Sequence, residues 1–207
     1  MNRRVEGNHA LAHAIDLANE LKLPVLYFEG LSYTYHLANR RFHTFVLEGI
    51  PDTTERLEKL GVGYVFYLRA KHSDPEDVLY RLAEDAALVV TDDYPTFLAS
   101  RYNARVQQKL KVQFLAVDSS CIVPMNQFEK REYAAYTIRP KIHRLLPGYM
   151  KPLKMPKPQH RWTLPVSKFH QVVTHKNISD LVASCDIDQH IAVSTTFHGG
   201  EIGRAHV

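Results

Sequence analysis

The chain has 207 residues, 45% of them hydrophobic and 23% charged, a balance that suits one globular domain with room for a tail. No apolar run approaches the ~18 residues of a membrane span, and the opening MNRRVEGNHA lacks the apolar stretch of a secretory leader, so a cytoplasmic protein with no membrane partner is expected. The formal net charge of +4 is mild, and the two cysteines, Cys121 and Cys185, lack the spacing of a zinc site or a disulfide framework.

In chain order, NHALAHAIDLANEL places Leu11, Ile15, Ala18 and Leu21 on one helical face, with Asn8 as its N-cap. Pro24 ends that helix, and PVLYFEGL reads as a short buried strand. A helix is predicted from Tyr33 to Gly49, with Leu37, Phe42, Phe45 and Val46 inward. The next begins at Pro51 and is capped by Gly61. VGYVFYLRA is strand-like. Asp74 and Pro75 then open a helix with Val78, Leu79, Leu82 and Ala86 inward. ALVVTDDY is a strand, Pro95 opens a further helix, and KVQFLAVDSS is the last clear strand. QFEKREYAAYTIRPKIHRLL is helical, with a kink or boundary expected near Arg139 because Pro140 lacks a backbone donor. After Pro147 the text turns proline-rich and irregular, with a short helix near NISDLVASC.

Strands alternating with amphipathic helices imply an α/β, Rossmann-like three-layer domain: a parallel sheet with helices on both faces. The chain opens on a helix, where a βαβ series calls for a strand. If a first, central strand is lacking, VLYFE should pair with YVFYL and LVV with FLAV as separate pairs, leaving apolar surface and strand edges open.

The usual catalytic signatures are absent: no GxGxxG after a strand, no GxxxxGK[ST], no GxSxG, no HExxH. His9 and His13 share a helix face, but two ligands do not close a metal site. Glu29, Asp92, Asp93, Asp118 and Ser119 follow strands. Polar groups at the C-terminal ends of parallel strands often line a ligand crevice, although loops are polar for simpler reasons. Arg139, Lys141, Arg144, Lys151, Lys154, Lys157, Arg161, Lys168 and Lys176 fall in a stretch with no Asp or Glu. Such a run suits a polyanion such as DNA; the plainer reading, a solvated basic connector, ranks ahead of it.

Several stretches, in order, resemble the N-terminal domain of class II photolyases within the photolyase/cryptochrome family: NRRVEGNHALAHAIDLA, RRFHTFVLEGI, LVVTDDYP, VDSSCIVP and, most specific of all, KREYAAYTIRPKI. The similarity runs from about Asn2 to Gly200. The family usually has Arg where Tyr136 stands and an Asn-containing tripeptide where Ser119–Cys121 stand, so those side-chain contacts are not carried over. The resemblance implies a light-driven repair enzyme for cyclobutane pyrimidine dimers in damaged DNA, a deoxyribodipyrimidine photo-lyase. FAD and a tryptophan relay would lie in a C-terminal helical domain, and the flipped dimer would enter its pocket. The present domain would hold an antenna chromophore, a deazaflavin or a folate, in a crevice for which Glu29, Asp92, Asp93, Asp118 and Ser119 are the candidates. No catalytic or metal-ligating residue is assigned. With one tryptophan, Trp162, no relay can be built here. The expected division is residues 1–146 as the α/β domain, 147–200 as a basic linker toward an absent FAD domain, and 201–207 as an artefact. Family members carry a hydrophobic strand before NRRVEGN, and EIGRAHV resembles an in-frame translation of a sequencing adapter (GAG ATC GGA AGA GCA CAC GTC), so a fragment is expected. The alternatives are a stand-alone nucleotide-binding module of universal-stress type and a non-catalytic interaction domain.

Overall fold

The computed structural model describes residues 3–94 and 97–200. Pro95 and the supposed artefact 201–207 lie outside them. The chain divides into two compact units, one of residues 18–81 and 158–200, the other of residues 3–17 and 82–157.

In the unit of residues 18–81 and 158–200, strands β1 (Leu26–Ser32) and β2 (Gly63–Arg69) pair in parallel, with Leu26 opposite Gly63 and Ser32 opposite Arg69. A parallel pair needs a long crossover, here helices α2 (Arg40–Glu48) and α3 (Ile50–Leu60). α2 starts at Arg40 rather than Tyr33, because Asn39 is its N-cap: the side chain accepts from the Phe42 N–H at 2.9 Å. Leu37 and Phe45, expected to face inward, are largely exposed, and Leu47 takes the buried position. α3 begins and ends as expected, with Pro51 in its first turn and Gly61 in the left-handed conformation at φ 84°. After β2, Asp74 does not cap a helix. Its Oδ2 accepts from the N–H groups of Ala70 and Lys71 and closes a turn, so the following helix α4 (Val78–Ala83) is short.

An isolated two-stranded sheet is marginal in water. Here residues 158–200 cover it. Val173, Ile178, Val182 and Cys185 join Leu31, Leu47, Ile50, Phe66 and Leu68 in one apolar core, each large side chain contributing about 1.5–3 kcal/mol by burial. The same segment satisfies the free edge of β2. Phe66 donates its N–H to His170 Nδ1 at 3.1 Å, Gln171 N–H donates to the Phe66 carbonyl at 2.9 Å, and Leu68 N–H donates to Gln171 Oε1. Trp162 lies against Gly63, where an added Cβ would come within 2.4 Å of the indole.

The other unit contains the start of α1 (His9–Leu21), where Asn8 Oδ1 accepts from the Leu11 N–H at 3.0 Å, the cap read from the sequence. Leu11, Ile15 and Ala18 are buried as expected, but Leu21 is exposed. Strands β3 (Leu88–Asp92) and β4 (Gln113–Val117) pair in parallel, with α5 (Phe97–Lys109) between them in sequence. Helix α6 (Ala135–Tyr149) runs through both Pro140 and Pro147, so of the kink or boundary expected near Arg139 the boundary does not occur. The carbonyl that Pro140 leaves without a donor belongs to the exposed Tyr136, where solvent can supply one.

The fold is thus α/β with parallel strands, and β1–β2 and β3–β4 form separate two-stranded sheets, the pairing expected from the sequence. The expected boundary at 146/147 lies within the span of α6, and from residues 158–200 Val173, Ile178, Val182 and Cys185 join the apolar core of their unit. Among the described residues no helix is long and apolar enough to cross a membrane.

Candidate functional site at the ends of β3 and β4

The β3–β4 register sets Asp92 opposite Val117, and the Asp93 N–H donates to the Val117 carbonyl at 2.7 Å. The two strand ends therefore deliver Asp92, Asp93, Asp118 and Ser119 to one edge of one unit, as their positions in the sequence suggested. Each then does something different. Asp92 is buried, and its backbone carbonyl accepts from Asn103 Nδ2 on α5 at 2.9 Å. Asp93 is exposed.

Asp118 organises the loop that follows. Its Oδ1 accepts from the N–H groups of Ser120 and Cys121 at 3.0 and 2.9 Å, and its Oδ2 from Met125 N–H at 3.0 Å. Burial opposes its ionisation, but these backbone donors outweigh it and hold the carboxyl below its ordinary value. Neighbouring Cys121 moves the other way. Burial first, then the charge and hydrogen bond of Asp118 and the charge of Asp93, raise its thiol. It stays protonated and is a poor nucleophile.

Ser119 is buried and serves the start of α1: its Oγ accepts from the Ala10 N–H at 2.9 Å, and its carbonyl accepts from Arg4 Nη2 at 3.1 Å. With Asn8, it satisfies two of the donors that a helix N-terminus leaves unpaired. Arg4 and Asn103 were not legible as partners. Asn103 returns to Asp92 from the helix that follows β3, and Arg4 meets a residue more than a hundred positions further along the chain, which nothing in its local sequence indicates.

Glu29 belongs to the other unit. It lies in the middle of β1, opposite Phe66, and not after the strand as expected, because β1 continues through Gly30 to Ser32. It is buried, and its Oε2 accepts from the Tyr64 hydroxyl at 3.0 Å.

The edge at β3 and β4 thus offers an exposed carboxylate just past a strand end, beside a loop ordered by Asp118, an arrangement for accepting hydrogen bonds from a ligand. Among the described residues no group of three or more His, Cys, Asp or Glu could hold a metal ion, and His9 and His13 gain no third ligand.

The molecule resembles known proteins over most of its length. A crystal structure of an archaeal photolyase from Sulfolobus tokodaii, described with two FAD molecules and a novel light-harvesting cofactor, overlays with a TM-score of 0.60 at 16% identity. The match covers 99% of this chain and 43% of that one, and at that identity it shows the fold. Deoxyribodipyrimidine photo-lyases are closer in sequence. That of Methanothermobacter thermautotrophicus is 35% identical over 153 residues, covering 73% of this chain and 34% of the relative. That of Arabidopsis thaliana is 32% identical over 170 residues, covering 78% and 33%. The chain thus spans about a third of the length of the curated relatives it matches. The DNA photolyase family model matches residues 1–159, and with the parallel α/β fold and these relatives it establishes that the chain belongs to the DNA photolyase family.

Proposed function

We propose that this chain is the antenna and docking half of a class II deoxyribodipyrimidine photo-lyase, an enzyme that splits cyclobutane pyrimidine dimers in damaged DNA with light. The observation that carries the proposal is the pairing of nearly complete coverage of this chain with 43% coverage of the Sulfolobus photolyase. KREYAAYTIRPKI supports the class.

The residues present do not fit FAD. The only tryptophan of the sequence, Trp162, packs on Gly63, and no glycine-rich phosphate loop follows a strand. The flavin therefore belongs to a helical domain toward which residues 147–200 lead, with 158–200 first folded onto their own unit. An antenna, a deazaflavin or a folate, would absorb light and pass its excitation to that flavin. The residues offered to it are Asp93 at its exposed strand end and the Asp118 loop, with Asp92 and Ser119 beneath them fixing the backbone.

The test is titration of the purified chain with a deazaflavin, a folate, FAD and ATP, read by fluorescence quenching, with dimer-containing DNA illuminated in parallel. The expected result is saturable antenna binding, no stoichiometric FAD, and no repair by the chain alone. Repair with FAD alone would overturn the proposal. Binding of ATP with no antenna binding would favour the nucleotide-binding module instead.

A further inference from the structure

Helix α6 and the segment after it have an unusual surface. α6 is a 15-residue helix with no fully buried side chain. Ile138, Ile142 and Leu145 are half-buried, so Tyr136, Arg139, His143 and Arg144 stand on the opposite, exposed side. The chain then continues with exposed Lys151 and Lys154 between prolines.

Elsewhere, ion pairs form where an acid lies close by in the sequence. Lys59 pairs with Glu55, Arg69 with Glu76 and Arg81 with Asp77, each within a few residues of an acid. In α6 only Lys141 has such a partner, Glu132. From Tyr133 to Ser179 the sequence contains no Asp or Glu. Arg139, Arg144, Lys151 and Lys154 make no ion pair within the described residues. A solvated helix face normally interleaves both signs, and this one does not.

We infer that this surface, Arg139, Arg144, Lys151 and Lys154, binds the phosphate backbone of DNA. Each cation that meets a phosphate releases condensed counterions, which gives sequence-independent affinity. Helix structure and Pro140, Pro147, Pro152 and Pro156 restrict the backbone beforehand, so little order remains to be gained on binding. Arginine suits the contact through its forked donors and lysine as a point charge. The contact would hold DNA through this half of the molecule, apart from any pocket that receives a flipped base. It does not depend on the antenna proposal, since a chain that binds no chromophore would carry this surface all the same.

The experiment is fluorescence anisotropy of the full 207-residue chain with a labelled undamaged duplex, over a range of salt. The test variant is Arg139→Gln/Arg144→Gln/Lys151→Gln/Lys154→Gln. The control, Lys22→Gln/Arg40→Gln/Lys71→Gln/Arg101→Gln, removes the same charge from other exposed positions. Circular dichroism establishes that both variants fold. At about 0.9 per phosphate, the test variant should flatten the log–log salt slope by about 3–4. Between about 50 and 200 mM salt the parent chain should then lose roughly 100-fold more affinity than this variant. The control should keep most of the slope. An unchanged slope in the test variant overturns the inference, as does an equal loss in the control. So does tighter binding to phosphatidylserine vesicles than to duplex at equal phosphate.

Discussion

The two parallel strand pairs begin from similar sequences and end in different surroundings. In β2, Gly63, Val65, Phe66 and Leu68 are buried, whereas no residue of β4 is. β2 is covered by residues 158–200, which supply both apolar side chains and acceptors for its free edge. β3 and β4 hold the candidate site, and their one fully buried residue is Asp92. Burial decides where stability is concentrated, so the β1–β2 unit should be the robust part of the molecule and the strand ends that carry chemistry the more compliant one.

The largest effect expected from this contrast is in the core. Phe66→Ala should cost about 3–5 kcal/mol by removing a fully buried ring, and Leu115→Ala on β4 only about 1–2 kcal/mol. Urea unfolding of the two variants measures both. Equal losses would break the contrast.

Next comes the cover over β2. Gly63→Ala sets a methyl against Trp162 and should cost about 1–3 kcal/mol by overpacking. Adding Trp162→Leu should recover part of that loss. If it does not, the indole is not what closes over the strand.

The smallest effect is one of pH. His170 Nδ1 accepts from the Phe66 N–H, so the ring must be neutral there. Burial lowers its pKa below the ordinary 6.5, against a weaker opposing pull from Glu58. The unfolded chain then binds the proton more readily. This contribution to stability is complete above 6.5 and falls as the pH drops through the lower folded value. His170→Asn keeps an acceptor without titrating, and should flatten the stability profile between 6.5 and that lower value. A profile unchanged by the substitution would detach His170 from the strand edge.

Much of the fold was legible because its signals are local. Asn8, Pro51 and Gly61 mark helix ends through the conformations of their own backbones and immediate neighbours. Short apolar runs between those marks leave little choice but strands. Two misreadings share a cause. Asn39 starts a helix and Asp74 closes a turn, and spacing alone does not say which of the two such a side chain will do. Pro140 does not end α6, because its lost hydrogen bond falls where solvent can replace it.

The sequence by itself determined the parallel α/β class, the separation of the strands into two pairs, the family, and the carboxylates at the ends of β3 and β4. All of these follow from periodicity, capping chemistry and ordered motifs, which act within a few residues. Tertiary structure alone decided that Glu29 is a buried mid-strand residue, that Ser119 serves the start of α1, and that residues 158–200 complete the core over β2. Those outcomes depend on contacts between residues far apart in the chain, and such contacts form only where packing removes apolar surface from water and supplies a partner to each buried polar group.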